Sequence, residues 1–164
     1  MVEWADNWIK KSSRRWPRNI WLGVSVEISD YMWRVDFLRQ TPAIVKFVSF
    51  EPLLDRMGLR SKSLKGIHWV IVGGESGQSA RPMRKEWVED IFAVVKKEGI
   101  PFFFKQWGAF NSVGIKVGKK NSGRIFRGRI WNEIPLNSSR LSSRTLARLF
   151  PNRDKSEVSG DRSC

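Results

Sequence analysis

Four apolar segments of similar length recur along the chain, and they constrain its fold more than any other feature of the sequence. In order they read IWLGVSVE (20–27), IVKFVSFE (44–51), HWVIVGGE (68–75) and IPFFFKQ (100–106). Each is rich in β-branched and aromatic residues and apolar throughout rather than at alternate positions, which is typical of strands buried on both faces of a parallel sheet. The first three end in Glu27, Glu51 and Glu75, which lie 24 residues apart. The sequence therefore predicts a parallel sheet whose strands end in acidic residues.

Two segments between the runs have helical periodicity. In SDYMWRVDFLRQTP (29–42), Ser29 or Asp30 is expected to cap a helix that Pro42 ends. PMRKEWVEDIFAVVKKEG (82–99) carries acidic residues early and lysines late, which suits the dipole of a second helix. The expected inward residues are Val35 and Leu38 in the first helix and Trp87, Ile91, Val94 and Val95 in the second, which Gly99 is expected to end.

The remaining segments carry weaker patterns. Trp4 and Trp8, four residues apart, predict an N-terminal helix on the outside of the fold. PLLDRMGLRSKSLKG (52–66) is interrupted by Gly58, which favours a loop with at most one short helix. GRIFRGRIWNEIP (123–135) predicts a β-hairpin.

Strand, helix and strand in alternation predict right-handed βαβ units around a parallel sheet, and hence an α/β fold. Four βα units cannot close an eight-stranded barrel, which needs about 250 residues. The chain is therefore expected to form half of a TIM-type (β/α)8 barrel, or else a small open sheet. We expect residues 1–110 to be this partial barrel domain and residues 111–164 to be an irregular basic extension that contains the hairpin and ends in a disordered stretch from about Asn152.

The formal charge of +14 is compatible with two kinds of surface. Residues 1–110 hold 18 basic and 12 acidic side chains, whereas residues 111–164 hold 12 basic and 4 acidic ones, so the excess is concentrated in the second part. Such an excess binds polyanions by releasing counterions from phosphate backbones, or it is merely a solvated basic surface.

Composition also narrows the location and the type of site. No run approaches the roughly 18 apolar residues of a membrane span, and the N-terminus is charged, so we expect a cytoplasmic protein without membrane contact. Cys164 is the single cysteine, which excludes a disulfide framework and any cysteine-held zinc or iron–sulfur site made by this chain alone.

Functional side chains are expected at the carboxyl ends of the strands, where parallel α/β folds place their sites. Three carboxylates at one edge could bind an ammonium group, act as acid and base, or hold a cation. The alternative is that they form structural ion pairs with Arg34, Arg56, Arg81 or Lys105. The candidate site residues are Glu27, Glu51, Gly73, Gly74, Glu75, Arg81, Lys105 and Gln106.

Several of these residues have a second interpretation. Gly73 and Gly74 are expected to let a ligand or a neighbouring backbone approach closely. Arg81 could hold an anion at the start of the second helix, or simply form the entry to that helix. Trp107 could stack on a heterocycle beside Lys105 and Gln106, although packing in the core is the commoner role. His68 lies in an apolar run and is expected to be a core histidine.

Five strings carry a family resemblance: WLGVSVE, VSFEPLL, WVIVGGESGQSARPM, PFFFKQWG and GRIFRGRIWNEIP. Together they resemble, over residues 17–135, the C-terminal half of the phage gene product 37/68 family, a domain of unknown function numbered 5131. Full-length members look like radical S-adenosylmethionine enzymes whose N-terminal half carries closely spaced cysteines. The resemblance implies that this chain is the C-terminal part of such a protein, of uncharacterised reaction.

The same resemblance assigns expected cofactors and partners. The candidate site residues would line the open end of the barrel and bind substrate or S-adenosylmethionine, while a [4Fe-4S] cluster would come from another chain. A complementary N-terminal half or a second copy is the expected partner, because a half barrel leaves strand edges unpaired. Two alternatives stay open: a non-catalytic phage or prophage protein that binds nucleic acid, and an inactive truncated gene product.

Overall fold

The computed structural model describes residues 2–12 and 16–135. The predicted runs all contain strands, each shorter than its run: β1 (Leu22–Ser25), β2 (Lys46–Phe50), β3 (Trp69–Gly73) and β4 (Phe102–Gln106). The helices are α1 (Val2–Ser12), α2 (Trp33–Arg39) and α3 (Lys85–Lys97), and a hairpin consists of β5 (Ile125–Phe126) and β6 (Arg129–Ile130). The expected disordered end after Asn152 lies outside the described residues.

The four main strands form one parallel sheet, which confirms the predicted α/β class. Their order across the sheet, β1-β2-β3-β4, is also their order along the chain. Val24 is paired with Val48, Val48 with Val70, and Val70 with Phe102, so these side chains lie on the same face. The sheet therefore has no reversal of strand order, with a helix after β1 and after β3 and a loop after β2.

The hydrophobic core lies between one face of this sheet and the helices. Strand residues Val48, Phe50, Val70, Val72, Phe102 and Phe104 are buried in one cluster with Val35 and Leu38 of α2 and with Val88, Ile91, Phe92 and Val95 of α3. Because these strand positions alternate, α2 and α3 both pack on the same face. The continuous apolarity of the runs arises because the other face is also partly apolar.

The structure corrects details of both predicted helices. Val35 and Leu38 are buried as expected, but neither Ser29 nor Asp30 caps α2, which begins after a 3-10 turn at Ser29–Tyr31. Backbone bonds within that turn, such as Met32 N–H to the Ser29 carbonyl at 3.0 Å, make a side-chain cap unnecessary.

In α3 the fully buried stripe consists of Val88, Ile91, Phe92 and Val95, while Trp87 and Val94 are only partly buried. Gly99 ends α3 with a φ of +66°, as predicted.

Residues 52–66 contain turns and no helix, as the interruption at Gly58 suggests. This loop nevertheless fixes the strand ends. The Leu53 N–H donates to the Gly73 carbonyl at 2.9 Å, and the Leu54 N–H donates to the Glu27 carbonyl at 2.9 Å. The loop therefore ties the carboxyl ends of β1 and β3 to that of β2.

One sheet edge is covered by the chain itself. The predicted hairpin is confirmed, and its turn residues Arg127 and Gly128 both have positive φ, as a two-residue hairpin turn requires. After the hairpin the chain runs antiparallel along β4: the Phe104 N–H donates to the Trp131 carbonyl at 3.0 Å, and the Glu133 N–H donates to the Phe102 carbonyl at 3.2 Å. Within the described residues, no strand pairs with the other edge, at β1.

The N-terminal helix lies at the periphery. Ala5 of α1 is buried in a small cluster with Trp16 and Ala43, while Trp4 remains 57% exposed with its ring edge-on to Trp16. Across residues 2–12 and 16–135, no helix combines the length and the apolar character needed to cross a bilayer.

Candidate functional site

The sheet face turned away from α2 and α3 is here called the opposite face. The character of its side chains changes from layer to layer along the strands. The register aligns Gly23, Phe47 and Trp69 in a lower layer and Ser25, Ser49, Ile71 and Phe103 in a middle layer. Glu51 follows β2 directly, beside Gly73 of β3 and Lys105 of β4. The opposite face therefore carries aromatic rings at the amino ends of the strands, two serines beside Ile71 and Phe103 in the middle layer, and charged groups toward the carboxyl ends.

Aromatic rings of the lower layer pack closely against Phe103 and Trp21 and form a floor. The rings of Trp69 and Phe103 lie 5.9 Å apart edge to face, and Trp21 meets Trp69 in the same way at 6.0 Å. The ring of Phe47 lies across β1, so that a Cβ on Gly23 would come within 2.3 Å of it. Gly23 is therefore glycine because an aromatic ring occupies the space of its side chain.

A glutamate and a lysine meet above this floor. Glu51 Oε1 and Lys105 Nζ are 2.8 Å apart although β3 runs between their strands. They can meet because Gly73 intervenes: a Cβ there would lie 3.0 Å from Glu51 Oε1. The register also shifts at this point, since Val72 pairs with Phe104 and Gly73 with Gln106, which leaves Lys105 as an extra residue in a bulge.

Gly74 has a different reason to be glycine. A Cβ at Gly74 would lie 2.2 Å from the Trp107 carbonyl oxygen, and one at Gly108 would lie 2.2 Å from the Glu75 carbonyl oxygen. The chains leaving β3 and β4 thus cross in backbone contact, which the Ala109 N–H to Glu75 carbonyl bond of 2.7 Å secures. Of the two expected reasons for a glycine, the close approach of a neighbouring backbone applies to Gly74.

Each of the three glutamates has a cationic partner. Arg81 binds the Glu75 carboxylate through two guanidinium bonds of 2.9 and 2.8 Å and through its backbone N–H at 2.8 Å. These bonds lower the pKa of Glu75 to about 2. Glu27 Oε2 lies 2.9 Å from Arg34 Nη1, which also donates to the Ser25 carbonyl at 2.8 Å.

The three glutamates form ion pairs with the basic residues named for them in the alternative of purely structural pairing, apart from Arg56. Arg56 pairs instead with Asp90, at 2.5 Å. A paired carboxylate can still bind a ligand when the pair opens onto solvent. The side chains of Glu51 and Lys105 are 20% and 50% exposed, so both are partly accessible to solvent.

Equal spacing does not make the three glutamates equivalent. Ser25 is paired with Ser49, and Ser49 with Ile71, so the position in register with Glu51 is Gly73. Glu75 lies two residues beyond it, in the loop that Arg81 closes. Glu27 is in register with Glu51 but pairs with Arg34 of α2, whereas Glu51 pairs with Lys105 across Gly73.

Gln106, the last residue of β4, and Trp107, which follows it, have different environments. Gln106 donates to the Ser76 hydroxyl at 3.2 Å and remains at the rim. Trp107 is buried, packs against Phe104 and Phe126, and donates its indole N–H to the Ile125 carbonyl at 3.0 Å. Trp107 is therefore a core residue, and the stacking role considered for it is wrong.

Comparison with known families supplies an independent assignment. The model of the family described as "Protein of unknown function (DUF5131)" matches residues 2–135, most of the chain. The chain belongs to the DUF5131 family. No curated protein and no solved structure matches it. The match includes α1, which lies outside the 17–135 region of the resemblance.

His68 of this DUF5131 chain does not have the predicted core position. It is exposed at the start of β3, where its Nδ1 accepts a 3.2 Å bond from the Lys46 backbone N–H. Partial desolvation, and then the charge of Lys46, lower the pKa of His68. The apolar run misled the prediction because its first residue precedes the strand and turns outward.

Metal ligands are not assembled in the described part of the DUF5131 chain. Residues 2–12 and 16–135 contain no group of three His, Cys, Asp or Glu side chains that could hold a metal ion. The only cysteine of the sequence, Cys164, lies outside these residues.

Sequence reasoning missed three polar residues of the opposite face. Ser25 is exposed and Ser49 is half-buried in the middle layer, and Arg124 lies over the ring of Phe103. Alternation within the runs could have indicated the serines, but Arg124 reaches the face only because the chain returns along β4.

A separate cleft of about 440 Å³ lies at the amino end of β4, lined by Lys96, Gly99, Ile100, Pro101, Asn132, Glu133 and Ile134.

Proposed function

We propose that this DUF5131 chain is the ligand-binding part of a partial (β/α) barrel whose interior wall is the opposite face of the sheet. The observation that carries the proposal is the Glu51–Lys105 pair, which stands over that face across Gly73. By resemblance to the phage gene product 37/68 family, the ligand class is S-adenosylmethionine together with a substrate.

Strand order supports the barrel. A doubly wound sheet reverses its strand order and carries helices on both faces, whereas a barrel adds strands in chain order with its helices outside. Here the strands follow chain order, and α2 and α3 lie on one face. The other face, with its layered alternate residues, then corresponds to the barrel interior.

The free edge at β1 is where we propose that the barrel continues. The edge at β4 already pairs with residues 131–133, so additional strands would join at β1 alone. Beside that edge, Trp33 and Phe37 of α2 are 54% and 50% exposed, which supports burial against further protein. The proposed addition is a complementary polypeptide segment that carries cysteines; a second copy of this chain is the alternative.

The proposed division of roles follows from charge. Glu51 would accept hydrogen bonds from an ammonium or hydroxyl group, and Lys105 would bind a carboxylate on the same ligand. Glu27, Gly73, Gly74, Glu75, Arg81 and Gln106 would form the rim, held by their own pairs and backbone contacts. A zwitterionic group matches the adjacent carboxylate and ammonium of the central pair.

The two implied cofactors fit this chain differently. An iron–sulfur cluster does not fit, because the described residues hold no ligand group and the whole sequence holds one cysteine. The amino-acid part of S-adenosylmethionine fits the charges of Glu51 and Lys105. When bound, its sulfonium would supply radical or group-transfer chemistry, and this chain would bind and orient it.

Calorimetric titration of the full chain with S-adenosylmethionine tests the proposal. We expect the affinity to fall about tenfold in Glu51→Gln, the effect of losing one charge-assisted hydrogen bond. Glu89→Gln is the matched control, because Glu89 also pairs with a basic side chain, Arg127 at 2.7 Å, but lies on α3. Absence of binding, or equal losses in both variants, would reject the ligand assignment.

A specific observation favours nucleic-acid binding as a second candidate function. Residues 111–132 contain six cations and no acid. Of these, Lys119 and Lys120 are exposed and form no ion pair with any described residue. If they contact phosphates, replacing both by Gln should reduce the salt dependence of DNA affinity by about two counterions, whereas Lys10 and Lys11 replaced together should not. An unchanged slope would exclude this role for the loop.

A further inference from the structure

Arg124 is a cation held in place by neutral groups. Its guanidinium carbon lies 5.2 Å from the ring centroid of Phe103, and its Nη2 donates to the Asn132 Oδ1 at 2.5 Å. The Nε is buried, and no described residue accepts a hydrogen bond from it. No carboxylate within the described residues pairs with this side chain.

Such an environment is unfavourable for a charge without a counterion. A partly buried cation loses hydration, and here burial lowers the pKa of Arg124, although a guanidinium stays charged at neutral pH. Buried polar donors in folded proteins nearly always have an acceptor. Arg129 provides the contrast: it stacks on Trp131 at 3.5 Å and reaches Glu133 at 3.6 Å.

The position of Arg124 connects it with the candidate site. Phe103 projects from β4 onto the opposite face, and Lys105, two residues further along β4, reaches Glu51 over the same face from the bulge. The guanidinium over Phe103 therefore lies on the same face of the sheet as the Glu51–Lys105 pair. Its planar fork of donors matches the oxygens of a phosphate or a carboxylate.

We infer that Arg124 is an oxyanion-binding residue of the opposite face, and that it binds a phosphate or carboxylate group of the ligand that occupies this face. The inference rests on the proposed function in one respect, the assignment of that face as the ligand-binding one. The oxyanion would accept hydrogen bonds from the guanidinium and neutralise the only cation there that lacks a carboxylate partner within the described residues.

A purely structural role is the competing explanation. In that case Arg124 serves to fasten the returning chain to β4 through Asn132 and Phe103. Removing Arg124 would then lower the melting temperature, and inorganic phosphate or acetate would bind the wild-type protein no better than the variant.

The test is a titration of the full chain with sodium phosphate and, separately, with sodium acetate at constant ionic strength, monitored in every variant by NMR of the backbone amides and in the wild type also by NMR of the arginine Nε–Hε groups. We expect saturable shifts of the Arg124 signal with a dissociation constant of about 1–10 mM. Arg124→Gln should weaken binding at least tenfold, as should loss of the fork in Arg124→Lys, while Arg129→Gln should leave it unchanged. Tighter binding of phosphate than of acetate would indicate a phosphate-bearing ligand, and the reverse order a carboxylate.

Two results would overturn the inference: no saturable shift in the wild type, or equal anion affinity in the wild type and a folded Arg124 variant. Arg124→Lys keeps the charge and serves as the folded variant if Arg124→Gln unfolds. The titration contains no S-adenosylmethionine. Failure of the proposed cofactor assignment would therefore appear as intact anion binding without S-adenosylmethionine binding.

Discussion

At the scale of single residues, the glycines after β3 act by leaving space. Gly73 leaves room for the Glu51 carboxylate to reach Lys105, and Gly74 leaves room for the Trp107 carbonyl. Neither residue has a positive φ, whereas Gly108, on the other side of the crossing, has a φ of +88°. The pair of glycines therefore determines both the central ion pair and the crossing of the two chains that leave the sheet.

Gly74→Ala is expected to destabilise the fold, because its methyl group would meet a backbone carbonyl that cannot move independently. We expect a loss of at least about 2–3 kcal/mol in the free energy of unfolding measured with urea. Gly58→Ala is the control: no atom lies within 4 Å of its Cβ position, and only its φ of +57° opposes the change. That substitution should cost about 1 kcal/mol. Equal losses would contradict the crossing.

The Glu75–Arg81 pair predicts a pH dependence of stability. The pKa of Glu75 is about 2 in the folded chain against an ordinary 4.5, so the pair stabilises the fold above the ordinary pKa and ceases to do so as pH falls through about 2. Because the pair lies at the surface, solvent screens it and its contribution to stability should be small. Unfolding of the wild type and of Glu75→Gln, compared from pH 6 to about pH 2, should show a difference that shrinks as the pH falls. A constant difference would refute the assignment.

At the scale of elements, the sequence predicted what local patterns determine. Four strands, α2, α3 and the hairpin were predictable because apolar periodicity and glycine positions reflect burial and turns. Register was not, because the number of loop residues that precede a strand is not visible in its pattern. Glu75 was therefore grouped with Glu27 and Glu51 although Gly73 occupies the corresponding position. The return of residues 131–133 along β4, which brings Arg124 to the sheet, is likewise a tertiary contact without a local signal.

The hairpin joins the core mainly through one side chain. Phe126 is buried and contacts the rings of Phe92, Phe102, Phe104 and Trp107. Phe126→Ala should lower the free energy of unfolding by about 3–5 kcal/mol. Ile125→Ala, on the neighbouring residue that is 60% exposed, should change it by less than about 0.5 kcal/mol. Similar effects of the two substitutions would show that the hairpin does not pack as described.

At the scale of the whole molecule, the two edges of the sheet differ in whether another segment pairs with them. The returning chain closes the edge at β4, and within the described residues the edge at β1 has no partner strand. Helices cover one face, while the other face carries charged and polar side chains above an aromatic floor. A sheet with this asymmetry is suited to extend through β1 and to bind a ligand on the face away from its helices.

Amide and methyl NMR shifts of the full chain, mapped during titration with S-adenosylmethionine, locate the ligand on the molecule. If the opposite face of the sheet binds this ligand, the largest shifts occur at Ser25, Ser49, Glu51, Ile71 and Lys105. Shifts centred instead on the cleft at Lys96, Ile100 and Ile134, or on α3, would place the ligand elsewhere and contradict binding on the opposite face.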